Sequence, residues 1–126
     1  MSGIWYLATP FTKFPAGIDE AFKLACRETA LLRRAGVSVY SPIVDSYSVA
    51  IHGGIDPLDW QFWMNVDAPF MQMASGLVML KAESWDVSTG MNEELKAFKA
   101  AGKPVVWMEP GVVPFELFPV KMENVV

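Results

Sequence analysis

The apolar positions fall into four short runs separated by segments of helical period. Ile4-Trp5-Tyr6-Leu7-Ala8 is apolar at successive positions, the pattern of a strand covered on both faces, as in a parallel sheet. Thr9-Pro10-Phe11-Thr12 breaks it, and a loop follows to Gly17. Asp19 can cap a helix that reaches Ala35, with Phe22, Ala25, Cys26, Thr29 and Leu32 as its inner stripe. Gly36 is placed to end it. Val37 to Ile43 reads as a second strand stopped by Pro42. Val44 to Ile55 reads as a long connection carrying Asp45, Tyr47 and His52. Asp56-Pro57 predicts a helix start. Trp60, Trp63, Met64 and Asp67 then share one helical face, and Pro69 should kink or restart the helix.

Gly76 to Leu80 predicts the third strand, Ser88 to Ala101 the third long helix, and Val105 to Met108 the fourth strand. The tail from Glu109 to Val126, with Pro110, Pro114 and Pro119, cannot be a regular helix; it can supply an edge strand or wrap a neighbour. The alternation predicts one doubly wound, Rossmann- or flavodoxin-like α/β domain over residues 1–126. Its parallel sheet has four to five strands, and its three layers are α/β/α. Ligands in such sheets bind outside the carboxyl ends of the strands. The loops there are Thr9–Gly17, Val44–Ile55 and Ala82–Thr89.

The third of these loops carries the richest chemistry. Met91, Leu95 and Phe98 define the buried stripe of the following helix. At ~100° per residue, Glu94 lies about 60° from the middle of that stripe and Glu93 lies nearly opposite it. Glu93 should be solvated. Glu94 sits on the boundary, where a carboxylate is costly without a partner or a task; a side chain reaching out to water is the plain alternative.

Composition narrows the function. The chain has 126 residues, 52% of them apolar, enough for one substantial core. Net charge is −4 with no basic run beyond Arg33-Arg34, which argues against duplex nucleic acid as a partner. A small phosphate-bearing ligand stays open, because a helix start can bind one without Lys or Arg. Five Trp and eight Met are many for this length and suggest apolar clefts or a subunit interface, hence a homo-oligomer. The single Cys26 cannot form an internal disulfide and reads as buried filler. The start of the chain has no signal-peptide pattern, and no apolar run approaches the ~18 residues of a membrane span. A cytoplasmic protein is expected.

His52 is the only histidine, so no His-based metal cluster can form. There is no Gly-x-Ser-x-Gly elbow, P-loop or Gly-x-Gly-x-x-Gly. Gly90 lets a ligand approach the backbone or merely eases the helix start. Ser88 is a helix cap or a ligand hydroxyl. Asp86 is a cap, an acceptor for a sugar or base, or a plain loop residue. Trp85 stacks on a base or covers core. Asp67 orients a ligand or satisfies a helix terminus near Pro69.

Taken together these segments resemble the nucleoside 2-deoxyribosyltransferase superfamily, and most of all a short branch of it. Trp5-Tyr6-Leu7-Ala8-Thr9-Pro10-Phe11 is similar to the family's opening strand, where a Tyr lines the site. Asp67, eight residues before Ser75, resembles the family's Asp in the helix ahead of the third strand. Gly90-Met91-Asn92-Glu93-Glu94-Leu95, closed by Gly102-Lys103-Pro104, resembles the family's glycine, its catalytic Glu four residues on, and its closing Gly-Lys. That spacing selects Glu94, as the helix geometry does. The family's second Asp falls on Ser88, with Asp86 two residues earlier; a hydroxyl there is similar to the related nucleotide N-glycosidases, where it contacts phosphate.

The resemblance implies an enzyme cleaving the N-glycosidic bond of a nucleoside or nucleoside monophosphate, as hydrolase or transferase. Glu94 would be the nucleophile, with Asp67 and Tyr6 beside it. Thr9, Pro10, Phe11, Asp45, Trp85, Asp86, Ser88 and Gly90 would bind substrate, and neither metal nor cofactor is required. Two other classes stay open: a binding module that holds a nucleotide-derived ligand without turnover, and an oligomeric structural domain. The shared-site idea requires Glu94 and Tyr6 within ~10 Å of each other, the reach of one small ligand.

Overall fold

The computed structural model describes residues 3–118. Four strands form one sheet: β1 (Trp5–Ala8), β2 (Val39–Tyr40), β3 (Gly76–Leu80) and β4 (Val105–Met108). Four helices connect them: α1 (Ile18–Arg34), α2 (Pro42–Gly53), α3 (Trp60–Met73) and α4 (Thr89–Ala100). Every strand pair is parallel and the order is β2-β1-β3-β4. This is a three-layer α/β/α Rossmann-like fold. The order reverses direction between β1 and β3, so the crevice for ligands opens at their carboxyl ends.

The continuous apolar strands divide by residue parity, because successive side chains point to opposite faces. Leu7, Val78, Leu80, Val106 and Met108 pack with Leu24 and Leu32 of α1. Tyr6, Ala8, Leu77 and Met79 pack with Met91 and Phe98 of α4. Gly76 is required by this packing: a Cβ there would lie 2.4 Å from the Trp5 ring and 2.9 Å from the Pro104 carbonyl oxygen.

Both long helix ends close by the same device. The Gly36 N–H donates to Arg33 O and the Val37 N–H to Leu32 O; at α4 the Gly102 N–H donates to Lys99 O and the Lys103 N–H to Phe98 O. These are Schellman pairs, and Gly36 and Gly102 adopt the left-handed conformation they need (φ 86° and 70°). The Lys103 ammonium then donates to the Met71 and Gln72 carbonyls, satisfying the end of α3.

Several expected boundaries move. The segment 44–55 is not a loop but most of α2. Ser41 is its N-cap, accepting from the Val44 N–H at 3.3 Å, and Pro42 occupies its first turn. Ser-Pro therefore starts a helix here instead of ending a strand, and β2 shrinks to Val39–Tyr40. Asp56-Pro57 forms a turn in which Asp56 Oδ1 accepts from the Leu58 N–H; Asp59 caps α3 three residues later. The helix runs through Pro69 without interruption. α1 begins at Ile18, with Asp19 in its first turn in an ion pair with Lys23.

The inner stripe of α1 is also rotated from the expected one. Cys26 and Phe22 are half-buried, whereas Glu28 is buried. The Gly111 N–H donates to Glu28 Oε1 at 2.8 Å, so the chain after β4 lies across α1 and gives that carboxylate a partner. The described part of the tail holds one short 3-10 turn, Phe115–Leu117, with Leu117 in the core. Four strands are present among the described residues, and the tail beyond Phe118 lies outside them. No helix of the described residues is long and apolar enough to cross a membrane.

Candidate active site

A cleft of about 150 Å³ opens at the carboxyl ends of β1 and β3. Its floor is acidic: Glu94 from α4 and Asp67 from α3. One wall is apolar, with Trp60, Trp63 and Met64 of α3 and Phe11 beyond β1. Thr9, Ser88 and Thr89 supply hydroxyls, and Gly90 completes the rim at the start of α4. Among the described residues no Lys, Arg or His lines it.

Glu94 is 8% exposed and takes its place in the buried stripe with Met91 and Phe98. Its partner is Tyr6, the second residue of β1, fully buried; the Tyr6 hydroxyl donates to Glu94 Oε2 at 2.6 Å. Glu93, one residue earlier, is half-exposed and pairs with Lys96 at 3.5 Å. The helix thus separates two adjacent glutamates by environment.

Burial pushes the Glu94 carboxyl up to about 8; the Tyr6 hydrogen bond pulls against this and the Asp67 charge adds to it. Asp67 is 7% exposed. Burial raises it to about 7, the Asp45 charge adds, and a hydrogen bond from Tyr40 opposes. Tyr6 is raised far above the ordinary phenol value by burial and by Glu94, so it stays a donor. Two coupled carboxyls that titrate near neutral pH, at the base of a cleft, are the combination expected where protons or developing charge are handled.

Ser88 is the N-cap of α4, accepting from the Met91 N–H at 3.2 Å, and it also lines the cleft. Thr9 is buried, and its hydroxyl has no hydrogen-bond partner among the described residues. Such a group costs stability unless something fills its need. A Cβ on Gly90 would meet no protein atom within 4 Å. Its space therefore belongs to the cleft. Gly90→Ala is expected to leave stability unchanged or raised by up to ~1 kcal/mol of helix propensity, while weakening, in calorimetric titration, the binding of any ligand that fills the cleft.

The structure brings Tyr6, Thr9, Phe11, Asp67, Ser88, Gly90 and Glu94 together. Tyr6, fully buried, is not itself part of the cleft lining and reaches it through Glu94; four other candidates stand apart from the site. Pro10 is fully buried. Asp45 is exposed on α2 and lines a separate surface hollow. Trp85 packs edge-on against Trp107 and belongs to the core beside α4. Asp86 is exposed, its carbonyl accepting from Asn92. Trp85 and Asp86 are turned away because Trp85–Val87 forms a 3-10 turn before the cap. Tyr40 was missed: its hydroxyl donates to Asp67 Oδ1 at 3.5 Å. Its sequence signal was its place at the end of β2, on the same sheet edge as Thr9. Among the described residues no group of three or more His, Cys, Asp or Glu is placed to hold a metal ion.

The fold is that of deoxyribosyltransferase-like proteins. A solved structure of a 2-deoxyribosyltransferase from the psychrotolerant bacterium Bacillus psychrosaccharolyticus superimposes with a TM-score of 0.60 and 26% identity, over 91% of this chain and 79% of that one. The chain itself belongs to the family described as domain of unknown function DUF1937, whose model matches residues 3–110. No curated protein sequence matches it.

Proposed function

We propose that the protein cleaves the N-glycosidic bond of a nucleoside or nucleoside monophosphate. The observation that carries this reading is the buried Tyr6–Glu94 pair at the base of a cleft with an aromatic wall. The likeness to a 2-deoxyribosyltransferase supports it. The base stacks against Trp60 or Trp63, and the sugar lies over Glu94. The Glu94 carboxylate attacks C1′ as the C1′–N bond breaks, and the oxocarbenium-like charge develops against its oxygen. Asp67, whose carboxyl holds a proton up to about pH 7, gives it to the departing base nitrogen. Water, or the nitrogen of a second base, then attacks C1′ and releases Glu94.

Tyr6 keeps the carboxylate oriented through Oε2, and Thr9, Ser88 and the first N–H groups of α4 meet the sugar hydroxyls or a 5′-phosphate. The lining among the described residues is acidic and apolar, without Lys or Arg, which favours ligands with at most one phosphate. Incubation with a panel of nucleosides and nucleoside monophosphates, read by chromatography of free base, tests the reading. Binding without release of base from any of them would favour a sensor module of the same fold.

A homo-oligomer is part of the proposal. Trp60, Phe62, Phe70 and Met73 are exposed along α3, and Phe115 and Phe118 are exposed on the tail. Apolar surface of this extent is seldom left in water. Sedimentation at micromolar concentration is expected to give a mass above the 14.0 kDa of one chain; a monomer would count against it.

A further inference from the structure

Tyr40 has no part in the chemistry described so far, yet it contacts both Asp67 and Tyr6. It ends β2, the edge strand, and is half-buried. Its ring stacks on Phe70 of α3, with centroids 4.3 Å apart and planes 6° from parallel, and leans on the Tyr6 ring at 5.8 Å. These contacts fix where its hydroxyl points. On the cleft side the hydroxyl donates to Asp67 Oδ1. On the solvent side Tyr40 and Asp45 share a surface hollow, and Asp45 lies within reach of the same hydroxyl.

A phenol has one proton to donate. The Tyr40–Asp67 distance of 3.5 Å is long for an O–H···O bond, normally ~2.7–2.8 Å, so the Asp45 charge on the solvent side can bear on where the proton points. We propose that Tyr40 is a positioning residue for Asp67, dividing its single phenolic proton between the buried Asp67 and the exposed Asp45. This rests on the glycosidic-bond reading, in which Asp67 must hold a proton for the leaving base. The exposed carboxylate, outside the cleft, thereby sets how firmly the buried one is held in its ionised form.

The groups facing Asp67 are Tyr40 from β2, Asp45 from α2, Glu94 from α4 and Tyr6 from β1. Arg33 is the cation lining the solvent-side hollow, with one guanidinium N–H committed to the Val39 carbonyl. Of these, only Tyr40 and Asp45 can be altered without touching the Tyr6–Glu94 pair. A hydrogen bond to a carboxylate favours its charged form, and a neighbouring negative charge disfavours it. The two substitutions therefore have opposite signs. Tyr40→Phe keeps the ring and its stack but removes the donor, so Asp67 keeps its proton to higher pH. Asp45→Asn removes the repulsion and leaves only a neutral, weaker acceptor, so Asp67 loses its proton at lower pH.

The test is a carbon-13 NMR titration of the aspartate carboxyls in the full chain without substrate, beside the pH profile of base release. In Tyr40→Phe the Asp67 midpoint is expected to rise by about one pH unit, and in Asp45→Asn to fall. The alkaline limb of base release should move in step with each. A midpoint that stays put in a folded Tyr40→Phe variant overturns the proposal. If that variant fails to fold, Asp45→Asn decides alone, and an unmoved or raised Asp67 midpoint there overturns it. Wild-type protein that releases no base from any substrate removes the glycosidic reading, while the titration still reports whether Tyr40 governs Asp67.

Discussion

Glu94→Gln is expected to lower base release by roughly three orders of magnitude or more while leaving ligand affinity almost unchanged. Gln has nearly the shape of Glu, and its side-chain oxygen still accepts from the Tyr6 hydroxyl, so the 2.6 Å link and the cleft can persist. What is lost is the nucleophile and its negative charge, which count far more in the oxocarbenium-like transition state than in the bound ground state. Glu93→Gln is the matched control. That side chain is half-exposed and paired only with Lys96, so its rate should stay near wild type. Steady-state base release and calorimetric binding, measured on both variants, give the answer. Wild-type turnover in the Glu94 variant, or loss confined to the Glu93 variant, would remove Glu94 from the mechanism.

The second large effect is on stability against pH. Burial raises the Glu94 carboxyl from the usual 4.5 to about 8. Between those values the native protein holds a proton that the unfolded chain has released. The native state therefore binds more protons, and stability falls as pH rises through the window, levelling off above about 8. The loss should reach several kcal/mol, at ~1.4 kcal/mol per pH unit of displacement. Asp67, raised from 3.8 to about 7, adds a fall of the same sign in a lower window.

Urea midpoints measured from pH 5 to pH 9 should decline steadily in wild type. In Glu94→Gln they should be higher at pH 9 and flatter above pH 7, because Gln has no charge to desolvate. A wild-type midpoint independent of pH would mean that Glu94 is already ionised in the native state. Catalysis runs the other way: the nucleophile needs the ionised carboxylate, so kcat/KM should rise with pH on the limb where stability falls. With Asp67 at about 7 and Glu94 at about 8, the active form, Glu94 ionised and Asp67 protonated, is the minor arrangement of one proton shared by the pair, so the profile is a bell whose two limbs belong to the coupled pair and to neither carboxyl alone.

Glu94 shows how much of the site the chain reveals by itself. A helical wheel placed it at the edge of an apolar stripe and placed Glu93 opposite, and the structure has them buried and half-exposed respectively. Tyr6 was legible as part of a buried strand, but its bond to Glu94 spans 88 residues and depends on β1 and β3 pairing in register. Trp85 and Asp86 illustrate the opposite case. Their loop was placed correctly, yet a single 3-10 turn decides which side chains face the cleft, and three residues carry no periodicity from which to read it. The same is true of α2, where Ser41-Pro42 has two meanings, strand end or helix cap, and only the neighbouring elements choose.

The parts determined by sequence alone are those fixed by local chemistry: the three apolar strands β1, β3 and β4, the glycines after α1 and α4, and the choice of Glu94 over its neighbour. Periodicity and left-handed turns act within a few residues, so a linear reading reaches them. Only the tertiary structure decided which loops converge at the β1–β3 reversal, that Glu28 is buried because Gly111 reaches it, and that Tyr40 stands between Asp67 and Asp45. Each depends on groups far apart in the chain, whose cost or benefit exists only once water has been excluded between them. Desolvation is a property of the assembled core, and no run of residues carries it in advance.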